Sequence, residues 1–199
     1  IIVFNGEIYN HLEIRKELEL LGETFKSSCD TEVLLKSYLR WGKDCIKRFD
    51  GMFAFLILNP KEKKAFIARD PFGEKPFYYS WIRGSFVFSS ELKPILNLPE
   101  FDAEVSIDQI AEYLCLQYVD GESSFYKNAF KVEPGHWAEI NERGEIHKES
   151  YFEFNPGFDP YENRSLDDLT DELEELLVRS IKRRLVSDVP IGAFLSGGV

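Results

Sequence analysis

"GMFAFLILNPKEKKAFIARD", residues 51–70, is the stretch on which the fold turns. An almost unbroken apolar run, 51–59, meets the polar turn PKEK, and a second apolar run returns over 64–70. Short runs rich in Phe, Ile and Leu, separated by Pro and charged residues, predict a β-hairpin. Upstream the period is helical. In "HLEIRKELELLG", Ile14, Leu18 and Leu21 recur at helix spacing, and Gly22 can end the helix in the left-handed conformation. Asp30 begins a second helix, "TEVLLKSYLRWG", closed by Gly42. Downstream the hairpin signal repeats. "KPFYYSWIRGSFVFSSE" turns at Arg83-Gly84, and "HWAEINERGEIHKESYFEF" turns around Glu142-Arg143-Gly144, with a helical stretch at 106–117 between them. The first 155 residues therefore predict an α+β class, with antiparallel sheets and helices.

Beyond that body the composition changes. Pro, Asn, Asp and Tyr crowd residues 156–164, a linker signal. Residues 165–187 then predict a long helix. Ser165 caps it with Asp168 three positions on, acids fill the early turns and bases the late ones, and Leu166, Leu169, Leu173, Leu176, Leu177 and Ile181 line one face. "VPIGAFL" reads as a buried strand running into "SGGV".

Composition narrows the functional classes. Apolar residues make up 44% of the 199, enough for a packed core rather than disorder. The formal net charge of −11 argues against nucleic acid and against an anionic membrane surface. No apolar run approaches the roughly 20 residues of a membrane span. The N-terminus is no signal peptide. Cys29, Cys45 and Cys115 are too few and too scattered for a disulfide framework, which points to a reducing, cytoplasmic setting. His11, His136 and His147 make no metal pattern with them.

Four stretches can carry chemistry. Asn5-Gly6 by itself reads as a hairpin turn, but a helix rather than a partner strand follows Glu7. A strand-to-helix corner there leaves the Asn amide and the Gly N–H free to point at one spot, the requirement for an oxyanion hole in acyl transfer. Asp30 by itself reads as a helix N-cap, although a buried Asp at a helix start can also hold a ligand ammonium. "ARDPFGEKPFYY" places Arg69 and Asp70 at a strand end beside a Pro-Gly turn, without an evident reason for the charges. "FLSGGV" can cradle phosphates with backbone N–H groups, although it lacks the Gly-Lys-Ser/Thr of a Walker loop.

In this order "FNGEIYN", "SSCDTE", "FDGMFAF", "RDPFGEKPFYY", "FSSELKPIL", "PGH" and "IGAFLSGGV" resemble glutamine-hydrolysing asparagine synthetases, nearly end to end. The resemblance implies an N-terminal-nucleophile (class II) glutaminase domain at 1–155. A linker at 156–164 and the start of a PP-loop ATP pyrophosphatase domain at 165–199 follow. It implies that ammonia from glutamine converts aspartate, activated by ATP with Mg²⁺, to asparagine, and it allows a homodimer. Asn5 and Gly6 would form the oxyanion hole. Asn5, Gly6, Glu7 and Asp30 would hold glutamine, with Glu7 and Asp30 near its ammonium. Leu195, Ser196, Gly197 and Gly198 would hold ATP, and no metal ligand is assigned to the chain itself.

The sequence departs from that pattern at both ends. The family's nucleophile is an N-terminal cysteine whose own amine is the base, and residue 1 here is Ile. Cys29 sits beside Asp30, which disfavours its thiolate. Cys45 and Cys115 lie in apolar helical patterns and are expected to be buried. The chain stops where the PP-loop would continue with Asp-Ser. It is therefore expected to be an internal fragment, inactive by itself. A relative with another acceptor (a β-lactam synthetase or a sugar amidotransferase) and a non-catalytic binding protein are the competing readings.

Overall fold

The computed structural model describes residues 1–154, 164–185, 189–194 and 197. They fall into two compact units, Ile1–Glu153 and Phe154–Val199. In the first, β1 (Ile2–Ile8) leads into α1 (His11–Leu20), α2 (Asp30–Trp41) and a short 3-10 helix over Gly42–Arg48. The hairpin of residues 51–70 forms as β2 (Gly51–Asn59) and β3 (Lys64–Arg69). The second hairpin is β4 (Tyr78–Ile82) and β5 (Ser85–Ser89). Arg83 and Gly84 both take positive φ (49° and 77°), as a two-residue hairpin turn of matching twist requires. α3 (Leu92–Leu96), α4 (Ile107–Leu116) and β6 (Phe130–Lys131) follow. The third hairpin is β7 (His136–Ile140) and β8 (Ile146–Ser150).

The strands make two antiparallel sheets, one of order β1-β2-β3-β7-β8 and one of order β5-β4-β6. Both faces of β2 are covered, which explains its lack of polar alternation. Phe53, Phe55 and Ile57 join Ile14, Leu18, Val33 and Leu34 in a core beneath α1 and α2. Ala54 and Leu56 face Phe77, Tyr79 and Val132 in a second core between the sheets. The result is a helix–sheet–sheet stack.

Arg69 and Asp70 brace the turn that follows β3. Asp70 is 1% exposed, and its carboxylate accepts N–H bonds from Phe53, Phe72, Glu74 and Lys75 at 2.9–3.2 Å. Arg69 donates to the carbonyls of Lys75, Val132 and Gly73 at 2.7–2.8 Å, although burial pulls its pKa below the ordinary guanidinium value. One side chain satisfies the turn's donors and the other its acceptors.

Two expectations are corrected here. α4 forms, but none of its residues is buried, and Cys115 is exposed rather than a core thiol. Tyr113 on this helix meets Phe125 edge to face, with ring centroids 5.1 Å apart. In the second unit, α5 (Leu166–Arg184) is capped as expected. The Ser165 hydroxyl accepts from Asp168 N at 3.1 Å and donates to Asp168 Oδ2 at 2.7 Å. Residues 189–194, however, form no strand, because no described strand pairs with them. Val189, Ile191 and Phe194 are exposed. Residues 155–163, most of the expected linker, lie outside the described residues.

Candidate active site on the edge of β1

Asn5-Gly6 is neither a hairpin turn nor a strand-to-helix corner. β1 runs on through Ile8, and the corner falls at Tyr9-Asn10. Both residues lie inside the ladder, with Asn5 opposite Ala54 and Gly6 opposite Phe53. The strand continues because the partner strand does, down to the pair Ile8–Gly51.

The register fixes where each group points. Ile1 and Leu58 exchange bonds at one end, and Tyr9 N donates to Asp50 O at the other. Hydrogen-bonded pairs alternate with non-bonded ones in an antiparallel ladder, so Asn5–Ala54 is bonded and Gly6–Phe53 is not. Phe53 confirms the alternation, since its N–H and C=O both go to Asp70 on the β3 side. The Gly6 N–H therefore turns away from β2, across the open edge of the sheet. Non-bonded pairs approach closely, and Gly6 sits there at φ +152°. A Cβ at Gly6 would lie 2.1 Å from Met52 O and 2.7 Å from Phe53 Cα, so only glycine fits.

Asn5 projects on the same sheet face as its partner Ala54, towards the second sheet. Its Nδ2 donates to Ser90 Oγ at 3.2 Å, just past the end of β5. Glu7 lies two residues on along that face and is exposed. Asp30 arrives from the other layer. The N-cap of α2 is Cys29, and Asp30 is the first helical residue, so its carboxylate does not cap its own helix. Instead its Oδ2 accepts Ile8 N at 3.0 Å, while Oδ1 receives the Thr31 hydroxyl and the Cys29 thiol, each at 3.4 Å. Ile8 has the same parity as Gly6, so Asp30 lies over the same open edge, with Ile8 about 7 Å along the strand from Gly6. Fold and register thus bring Asn5, Gly6 and Asp30 to one strand edge, with Glu7 on the Asn5 face.

The cysteines divide. Burial, reinforced by Asp44, pushes the Cys45 thiol up to about 12, which makes it inert. Cys29 is exposed beside Asp30. Of the residues expected to hold ATP only Gly197 is described, at φ +69°; Leu195, Ser196 and Gly198 lie outside the described residues. Ser90 had no role assigned from sequence. The signal was present in "FSSE", but only the register of β1 against β2 and the end of β5 show that it reaches Asn5.

A separate cavity of about 460 Å³ is lined by Arg69, Phe72, Tyr78, Leu92 and Lys131, among others. Arg69 lies opposite Ala54 and hence two strands from Asn5 in the same row, about 10 Å away. None of the four candidate site residues lines it.

Comparison with known proteins names the family and the fold. The family model described as glutamine amidotransferase domain matches residues 1–152, and the one described as asparagine synthase matches 172–199. A Bacillus subtilis protein named asparagine synthetase [glutamine-hydrolyzing] 1 is 40% identical across all of this chain, which covers 31% of it. A Methanocaldococcus jannaschii protein, provisionally named as another asparagine synthetase [glutamine-hydrolyzing], is 43% identical across all of this chain, which covers 38% of it. The chain thus spans about a third of the length of these relatives. Among solved structures, the glutamine phosphoribosylpyrophosphate amidotransferase of B. subtilis shares the fold, with a TM-score of 0.53 at 23% identity. It covers 77% of this chain, which covers 29% of it.

Proposed function

Because this chain belongs to the glutamine amidotransferase domain family over residues 1–152 and meets the asparagine synthase family at 172–199, we propose that it serves glutamine-dependent asparagine synthesis. Residues 1–155 act as the glutaminase domain and release ammonia from glutamine. Residues 165–199 begin the domain that activates aspartate with ATP, and 156–164 link the two. The observation that carries the reading is the parity of β1. It turns the Gly6 N–H over the open edge, in company with the Asn5 amide and the Asp30 carboxylate.

Acyl transfer from an amide passes through a tetrahedral oxyanion, and two fixed donors stabilise it because they need no reorganisation as charge develops. The Asn5 Nδ2 and Gly6 N–H are those donors. Glutamine brings an ammonium as well, for which Asp30 and Glu7 supply negative charge. The attacking thiol is none of the three cysteines here, so residues 1–199 alone do not turn over glutamine. ATP and Mg²⁺ belong to the phosphate loop at 195–198, the homodimer to the whole protein, and its setting is cytoplasmic.

The test is kinetic, in the full-length protein. Asn5→Ala lowers kcat for glutamine hydrolysis, by about 10²- to 10³-fold if a whole oxyanion donor is lost. Asp30→Asn mainly raises KM, because the ammonium is bound in ground and transition states alike. Both variants still make asparagine from added ammonium. The reversed pattern, KM for Asn5→Ala and kcat for Asp30→Asn, overturns the assignment.

A further inference from the structure

We propose that Ser90 is a positioning residue for glutamine hydrolysis, holding the Asn5 carboxamide in the orientation that aims its second N–H at the oxyanion. The inference rests on the reading of Asn5 as an oxyanion donor.

A primary amide has two N–H groups and rotates freely on an exposed strand. Asn5 is half-buried on the edge strand of the five-stranded sheet, with no described strand on its outer side. Its backbone faces β2, so the ladder holds the main chain but leaves the side-chain torsions free. The side-chain bond described for it is Nδ2 to Ser90 Oγ at 3.2 Å. That bond does three things. It places the NH₂ end of the amide at Ser90, whose hydroxyl accepts there. It occupies one N–H and leaves the other directed elsewhere. It also ties the edge of one sheet to the end of β5 in the other, so the amide is referenced to both layers.

Ser90 suits the task because a hydroxyl can accept from Asn5 while donating elsewhere. It follows β5 directly and precedes α3, so sheet and helix fix its backbone from both sides. Serine is also small enough to leave the edge open. The contribution is to alignment, not to charge. Loss of Ser90 therefore leaves both donors present and one of them rotationally free, which costs less than deleting the donor.

The experiment compares Ser90→Ala, Ser90→Thr, Asn5→Ala and the double variant Asn5→Ala/Ser90→Ala in the full-length protein. It reads kcat and KM for glutamine hydrolysis, with the melting temperature as a fold control. Ser90→Ala lowers kcat about tenfold with KM nearly unchanged, and Ser90→Thr, which keeps the hydroxyl, restores most of the rate. The double variant is no slower than Asn5→Ala, because a positioning residue has nothing left to position. If Asn5→Ala is impaired while Ser90→Ala turns over as wild type, the Ser90 proposal falls and the oxyanion reading stands. If Asn5→Ala itself keeps full kcat, the oxyanion reading falls. If Ser90→Ala lowers the rate equally in the presence and absence of Asn5, its effect is general and positioning is refuted. Should Ser90→Ala melt early, the decision passes to Ser90→Thr: a stable fold with kcat as low as that of Asn5→Ala overturns the proposal.

Discussion

Helices α2 and α5 are built by opposite means. α2 has no side-chain cap at its N-cap position, yet Val33 and Leu34 are 0% exposed beneath the five-stranded sheet. α5 has a capping box, acids in its first turn and three bases in its last, yet none of its residues is buried and Leu176 is 44% exposed. The same helical position does different work in each. Glu32, third residue of α2, reaches out of the helix and gathers the amides of Lys26 and Ser27 and the Ser27 hydroxyl. Asp168, third residue of α5, closes its own cap. A helix with a core to cover can turn its acid to pinning the loop that leads into it. One without a described core relies on local terms, each worth a fraction of what burial supplies.

The widest gap between the two helices is a cavity test. Leu34→Ala is expected to destabilise the first unit by about 3 kcal/mol, within the usual range for a buried leucine, as read by denaturant titration. A loss below about 1 kcal/mol would break the comparison, since α2 would then owe little to burial. Next is the acid limb. Glu32 titrates at about 2 instead of 4.5, chiefly through the bond from Lys26 N and then that from the Ser27 hydroxyl. Because the folded value is depressed, its contribution is present above about 4.5 and lost as pH falls towards 2. The difference in melting temperature between wild type and Glu32→Gln should therefore be largest near neutrality and close over that window. An unchanged difference at pH 2 would remove the carboxylate from the account. Smaller again is Ser165→Ala, expected to cost α5 about 1 kcal/mol, seen as reduced helicity in a 164–185 peptide relative to the parent peptide. The smallest effect should be Leu176→Ala in the 199-residue chain, within about 0.5 kcal/mol of wild type. A loss on the scale of Leu34→Ala would mean the stripe is packed.

The comparison also marks what the sequence could reveal. Period and turn chemistry gave the three hairpins, both early helices and the α5 cap, because those signals act within a few residues. Asn5-Gly6 misled for a physical reason. The dipeptide's local preference is to turn, but a seven-residue ladder against β2 keeps it extended, and the glycine answers to the Met52 carbonyl rather than to a turn. Cys115 and residues 189–194 misled differently. An apolar pattern states that a face would be buried if something covered it, and cannot state that something does. Arg69 and Asp70 were legible only as a puzzle, since their partners are backbone groups up to 63 positions away. Asn5, Gly6 and Asp30 were singled out from the residues and Glu7 from the resemblance; that Asn5, Gly6 and Asp30 share one edge follows from register.

That edge works like a reading frame with a period of two. Gly6 and Ile8 face outward because they are even-numbered against a ladder whose odd members are bonded. Inserting one codon upstream of Asn5 while β2 stays fixed would swap inside and outside for every residue shifted. The N–H groups now turned outward would enter the ladder, and the Asn5 side chain would cross to the helical layer. Two codons would restore the orientation and displace the groups by about 7 Å along the strand. Length changes in this short strand are thus all-or-none in sign even where they are small in distance.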